Sequence, residues 1–148
     1  MSDIGKKERK TQNRVIALFQ KELKYDYLGN WEDRENNSDV EEELLTAYLT
    51  RKEYSPNLIN KALYAFGKAV NDQSKSLYDV NKEVYSMLRY GVNVQPETGH
   101  NKETVWLIDW KNPLENDFAI VEEVTIKGIY KKRPDIVLYV NGIALGVL

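Results

Sequence analysis

The residues best placed to do chemistry lie in Lys131-Lys132-Arg133-Pro134-Asp135. A basic turn runs into a proline, which a strand tolerates at its first residue. Asp135 then opens the apolar run Ile136-Val137-Leu138-Tyr139-Val140. Aspartate is disfavoured in strands, so its place there has two readings. One is a turn aspartate accepting local backbone hydrogen bonds. The other is a carboxylate presented at a sheet edge to a divalent cation. Mg2+ suits that arrangement, because it takes one or two carboxylates and completes its shell with water and substrate phosphate. Lys131, Lys132 and Arg133 either solubilise the turn and guard an edge or meet a phosphate backbone.

Glu122 is the second candidate. Alternation through Phe118, Ile120, Glu122, Val124 and Ile126 sets it on the more apolar face, where a carboxylate is costly unless paired or bound to metal. A bulge would exchange the two faces. Asp109, between Ile108 and Trp110, gives less reason for a site, and His100 reads as an exposed loop residue.

Composition excludes several other chemistries. The chain has 148 residues, 42% apolar and 30% charged, with a formal net charge of −2. That length supports one domain with a core of its own, and the balance is too apolar for a disordered chain. With no cysteine and one histidine, thiol catalysis, zinc ribbons and multi-histidine metal sites are ruled out. No glycine-rich phosphate loop is present. Neither a membrane-length apolar run nor a signal-like start is found, so a cytoplasmic protein without membrane contact is expected.

The elements that must position these residues fall into two parts, 1–90 helical and 91–148 built of strands. Val15, Leu18, Phe19 and Leu23 share one helical stripe. The segment Glu32 to Glu43, with seven acids and one arginine, reads as a solvated loop and helix start. There Ser38 and Glu41 have the spacing of a capping box before Leu44, Leu45, Tyr48 and Leu49. Ser55-Pro56 starts a helix with the stripe Leu58, Ile59, Ala62, Leu63, Phe66 and Val70. A fourth helix carries Leu77, Val80, Val84 and Leu88 and ends at Gly91. Its tyrosines, Tyr78, Tyr85 and Tyr90, have the spacing of core or core-edge residues, the other reading being a base-stacking surface. Strands are expected over 104–110, 118–126, 135–140 and 143–148, the last two joined by an Asn141-Gly142 hairpin turn. The fold class is therefore α/β or α+β: about four helices, then a mixed, largely antiparallel sheet. The apolar run Ile143 to Leu148 stops without a polar tail, as expected of a piece of a longer polypeptide.

The run Arg133 to Leu148, a Pro-Asp at a strand head followed by an Asn-Gly hairpin, resembles the nuclease hairpin of the PD-(D/E)xK superfamily. More narrowly, with Leu107-Ile108-Asp109-Trp110, Asn112-Pro113, Phe118 to Thr125 and Leu88-Arg89-Tyr90-Gly91, the chain resembles the N-terminal endonuclease domain of the R subunit of type I restriction enzymes. The resemblance implies a restriction-endonuclease-like core and Mg2+-dependent phosphodiester hydrolysis with Asp135 as metal ligand. The partner acid and lysine, Glu-x-Lys, would lie on the strand that continues beyond Leu148, so 1–148 would be one truncated domain, inactive by itself. It further implies double-stranded DNA as substrate, specificity and methyltransferase subunits as partners, and ATP used by motor domains outside this segment. Two alternatives are another nuclease of the same superfamily and, in a different class, a non-catalytic docking module whose helical half binds proteins and in which Asp135 is a turn residue.

Overall fold

The structure is a computed structural model that describes residues 3–35, 37–124 and 135–148. In chain order it has α1 (Asp3–Ala17), a π-helical turn (Leu18–Glu22), β1 (Asp26–Asn30), α2 (Glu42–Arg51), α3 (Pro56–Val70), α4 (Leu77–Tyr90), β2 (Val92–Val94), β3 (Glu103–Val105), a 3-10 turn (Pro113–Glu115), β4 (Phe118–Glu122), β5 (Ile136–Val140) and β6 (Ile143–Val147). The fold is α+β with a mostly antiparallel sheet. The chain forms two compact units, one from 1–41 and 117–148, the other from 42–116.

The first unit holds a four-stranded sheet in the order β1-β4-β5-β6. β4, β5 and β6 are antiparallel neighbours, whereas β1 runs parallel to β4. Parallel neighbours cannot be joined by a tight turn and need a long crossover. The whole second unit is inserted in that crossover. One face of the sheet carries Ile120, Ile136 and Leu138 and receives Val15, Ile16 and Phe19 from α1 and the π-turn. The other face carries Ala119, Val121, Val137 and Tyr139 and packs with Leu28, Trp31 and Ala144.

Several expectations are met at this level. Asn141 (φ 52°) and Gly142 (φ 82°) both take the left-handed region that a two-residue type I′ turn demands. Asn141 does more than turn the chain. It is fully buried, its side-chain oxygen accepts from Asp117 N–H at 2.7 Å, and its own N–H donates to Asp117 O at 2.8 Å. The turn is thus fastened to the start of β4, which fixes the hairpin register that presents Asp135.

The second unit is organised around α3. Ser55 caps it by accepting from Leu58 N–H, Pro56 occupies its first turn, and its buried face is Leu58, Ile59, Ala62, Phe66 and Ala69. α2, α4 and the two-stranded β2-β3 ribbon pack on it. α4 ends at Gly91 (φ 83°), whose N–H donates to Met87 O.

Other expectations are corrected. The first part is not wholly helical: Asp26–Asn30 is a strand, hidden because Asp-Tyr-Leu-Gly-Asn has little β propensity and gains its order from β4. Residues 104–110 are not one strand; only Glu103–Val105 pairs, with β2, and Leu107 and Ile108 are buried in irregular chain. Leu18 and Leu23 are exposed, because the π-turn changes the angle per residue and the helical stripe no longer holds. Tyr78, Tyr85 and Tyr90 are not core: each is more than three-fifths exposed, since α4 meets α3 along a single narrow face and buries no residue fully. The capping box forms only in part. Glu41 accepts from Ser38 N–H, but Ser38 Oγ bonds Val40 N–H and the helix starts later, at Glu42.

The doubly bonded turn yields a test. Asn141→Ala removes the side-chain bond to Asp117 and places a residue without a polar side chain in the left-handed region. The expected loss is about 2 kcal/mol in urea unfolding, from roughly 1 kcal/mol for each effect. A loss below about 0.5 kcal/mol would show that the turn does not hold β4.

Candidate functional site

Both sequence-derived carboxylates come to the same end of the sheet. Glu122 is the last residue of β4 and pairs with Ile136, the first residue of β5. Glu123 N–H then donates to Asp135 O at 2.9 Å. The third strand reaches the same end, because Leu148 N–H donates to Ile136 O at 3.0 Å. Asp135 is exposed and stands beside the end of β6.

The two acids differ sharply in environment. The alternation predicted for β4 holds through Glu122, which lies with Ile120 on the face covered by α1. It breaks one residue later: Glu123 has φ 55°, and Val124 joins the opposite core with Ala119 and Val121. Glu122 is 2% exposed, and an isolated carboxylate could not remain charged there without partners. It has three. Tyr27 Oη–H donates to Oε2 at 2.7 Å, Arg9 forms an ion pair at 3.3 Å, and Gln12 Nε2–H donates at 3.4 Å. Gln12 also donates to Glu123 Oε1 at 3.2 Å.

The elements explain why these partners arrive. Arg9, Gln12 and Ile16 recur at helical spacing along one face of α1. The apolar end of that face sits on Ile120 and Ile136, so its polar end reaches the strand end where Glu122 lies. Tyr27 pairs with Ile120 across β1-β4, and its long side chain runs along the sheet to Glu122. Burial, and then the hydrogen bond and charge of Glu122, push the Tyr27 hydroxyl up from 10 to about 12. It therefore stays protonated and donating at any physiological pH.

Asp135 has no side-chain partner among the described residues. One exposed carboxylate at a strand head fits Mg2+ as a single ligand, the remainder of the shell being water and substrate oxygen. No group of three or more acids or histidines able to hold a metal occurs among the described residues. Glu122 could serve a cation only by giving up Arg9 or Tyr27. Lys131, Lys132 and Arg133 lie outside the described residues.

Asp109 belongs to the second unit, where Lys52 holds it at 2.7 Å and the Asn112 N–H at 2.8 Å. His100 is exposed, 3.5 Å from Glu97. Tyr27, Arg9 and Gln12 were missed from sequence. The i, i+3 spacing of Arg9 and Gln12, continued by Ile16, was the available signal for the helix; nothing local marks Tyr27.

A family model described as the type I restriction enzyme R protein N terminus matches residues 5–148. No curated protein and no solved structure matches the chain.

The Glu122 network makes a pH-dependent prediction. Tyr27→Phe is expected to cost about 1.5 kcal/mol at pH 7, the lower end of what a hydrogen bond to a charged group contributes, because Tyr27 is partly exposed. Because the folded hydroxyl holds its proton above the unfolded value of 10, its contribution is complete below pH 10 and fades as pH rises through 12. Urea unfolding of the two proteins from pH 8 to 12.5 should converge over that window. A constant gap would mean that the hydroxyl proton is not what stabilises Glu122.

Proposed function

Since the chain belongs to the family of type I restriction enzyme R protein N termini, we propose that it forms the DNA-cleaving part of such an enzyme, with Asp135 as a metal ligand of a PD-(D/E)xK nuclease centre. The observation that supports this most is the register at one sheet end: the Leu148 N–H bond to Ile136 O sets the end of β6 next to Asp135. In the nuclease pattern the acid and lysine of Glu-x-Lys sit on the strand after the hairpin. A continued β6 would bring such residues against Asp135.

In this reading Asp135 would hold Mg2+, which would supply a water of lowered pKa and charge neutralisation at the phosphate. The chain's own part is positional. β5 starts at Ile136, which is held by Glu122 of β4 and by the Leu148 N–H, and the Asp135 backbone before it is held on the β4 side by the Glu123 N–H. Glu122 serves as the tie that holds α1 and β1 over this end, and its three donors keep it out of the first coordination shell. Lys131, Lys132 and Arg133 would offset backbone phosphates near the metal. The substrate is double-stranded DNA, the partners are specificity and methyltransferase subunits, and ATP is spent by motor domains outside residues 1–148.

The docking-module alternative gains no particular support from the acidic segment. Glu41 turns inward to Arg34 at 2.8 Å and 3.2 Å, so part of that charge is spent on local structure.

In an R protein that carries the complete motif, Asp135→Ala should lower Mg2+-dependent DNA cleavage by more than about hundredfold. ATP hydrolysis should stay within about twofold. Retained cleavage would remove Asp135 from the centre, and joint loss of both activities would mean that the substitution damages the fold instead.

A further inference from the structure

The second unit contains a cleft of about 400 Å³ that the nuclease reading does not use. That volume lies within the ~300–1,000 Å³ range of small-molecule sites. Its walls are aromatic and cationic: Tyr48, Tyr54, Trp106 and Trp110, with Lys52, Arg89 and Lys111. The indoles of Trp106 and Trp110 are large apolar groups, yet these residues remain 43% and 47% exposed. Fixed aromatic surface left open to water is a platform for a flat ligand.

Local structure holds the platforms still. Trp110 Nε1–H donates to Leu88 O at 2.8 Å, which ties its ring to the last turn of α4. Trp106 N–H donates to Tyr54 Oη at 3.0 Å. Gly91 lets the end of α4 and β3 approach closely: a Cβ there would overlap Thr104 Cγ2 and lie 3.5 Å from the Trp106 ring.

The charges select the ligand's sign. The one acid in the lining, Asp109, is engaged by Lys52 at 2.7 Å, and that bond, followed by the Asn112 N–H, holds it below the usual carboxylate range. Lys52 is thereby neutralised as well. Arg89 and Lys111 make no salt bridge among the described residues, and the Arg89 guanidinium lies 5.2 Å from the Trp110 ring centre and 5.6 Å from that of Tyr90. A cationic ligand would face like charge. A guanidinium resting on aromatic rings is, by contrast, well suited to an anion attached to a flat ring.

We propose that this cleft binds a nucleotide, its base against the Trp106 and Trp110 indoles and its phosphate on Arg89 and Lys111. The nucleotide comes either free or as an unstacked unit of a single strand. Neither source involves Asp135, so the cleft and the nuclease centre stand or fall separately.

Tryptophan fluorescence of the intact chain tests the assignment, titrated with thymidine 5′-monophosphate, a 12-nucleotide thymidine strand, a 12-base-pair duplex and inorganic phosphate. Saturable quenching by the strand, with or without the mononucleotide, is expected. Binding by both identifies a site for a lone nucleotide, and binding by the strand alone identifies a site for an unstacked strand. Arg89→Gln and Trp106→Ala should each weaken that binding about tenfold. Lys68→Ala, an exposed lysine of α3 outside the cleft, should not weaken it. Circular dichroism identifies any unfolded variant, and the exposed Arg89 keeps the test usable if Trp106→Ala fails to fold. The proposal is overturned if neither nucleotide ligand binds saturably, if phosphate alone binds as tightly, if the duplex is preferred, or if Arg89→Gln leaves binding unchanged.

Discussion

The interaction on which the sheet end depends is the burial of the Glu122 carboxylate. A charged group at 2% exposure persists only where donors replace the water it has lost. Here those donors come from two different elements, Arg9 and Gln12 of α1 and Tyr27 of β1. One side chain thus joins the first helix, the parallel edge strand and the end of β4. Ile120 and Ile136 supply apolar seating for α1, but apolar contact has no direction. The polar network supplies the direction, fixing which end of α1 lies over which end of the sheet. The exposed carboxylate of Asp135 stands one register step away on the neighbouring strand.

Connectivity explains the second unit. Because β1 and β4 run parallel, the chain must leave the sheet after Asn30 and return at Phe118. A crossover of that kind can hold a complete helical unit without disturbing the strand order. The unit has its own core around α3 and its own chemical character, aromatic and basic where the sheet end is acidic. A carboxylate end that suits a cation and an aromatic cleft that suits a flat anion are compatible with a protein that handles nucleic acid through more than one kind of contact.

Much of this was legible in the sequence, and the misses have a common physical origin. Ser55-Pro56, Gly91 and Asn141-Gly142 act through local backbone geometry, which is why the helix start, the helix end and the hairpin turn appear where their residues indicate. The alternation of β4 placed Glu122 on its proper face for the same reason. β1 was missed because its order comes from pairing with a strand about ninety positions away in the chain (Tyr27 with Ile120), a non-local effect that no short window contains. The Trp106-Leu107-Ile108-Asp109-Trp110 run failed differently. Its apolarity was real, and Leu107 and Ile108 are buried, but it packs as irregular chain with its two indoles turned outward. The Glu122 partners could not be read at all, since Tyr27 and Arg9 meet it only through the fold. The reading of Asp135 came from the resemblance; residue pattern alone left a turn aspartate equally open.

The most direct measurement of the central claim is Mn2+-induced line broadening in the amide NMR spectrum of the isotope-labelled chain, with Mn2+ standing in for Mg2+. Selective broadening of Glu123, Asp135, Ile136 and Leu148, reversed by excess Mg2+ and absent in Asp135→Asn, is the predicted result. Broadening centred on the acidic Glu32 to Glu43 segment, or spread evenly over surface carboxylates, would contradict the assignment of a cation site to this end of the sheet.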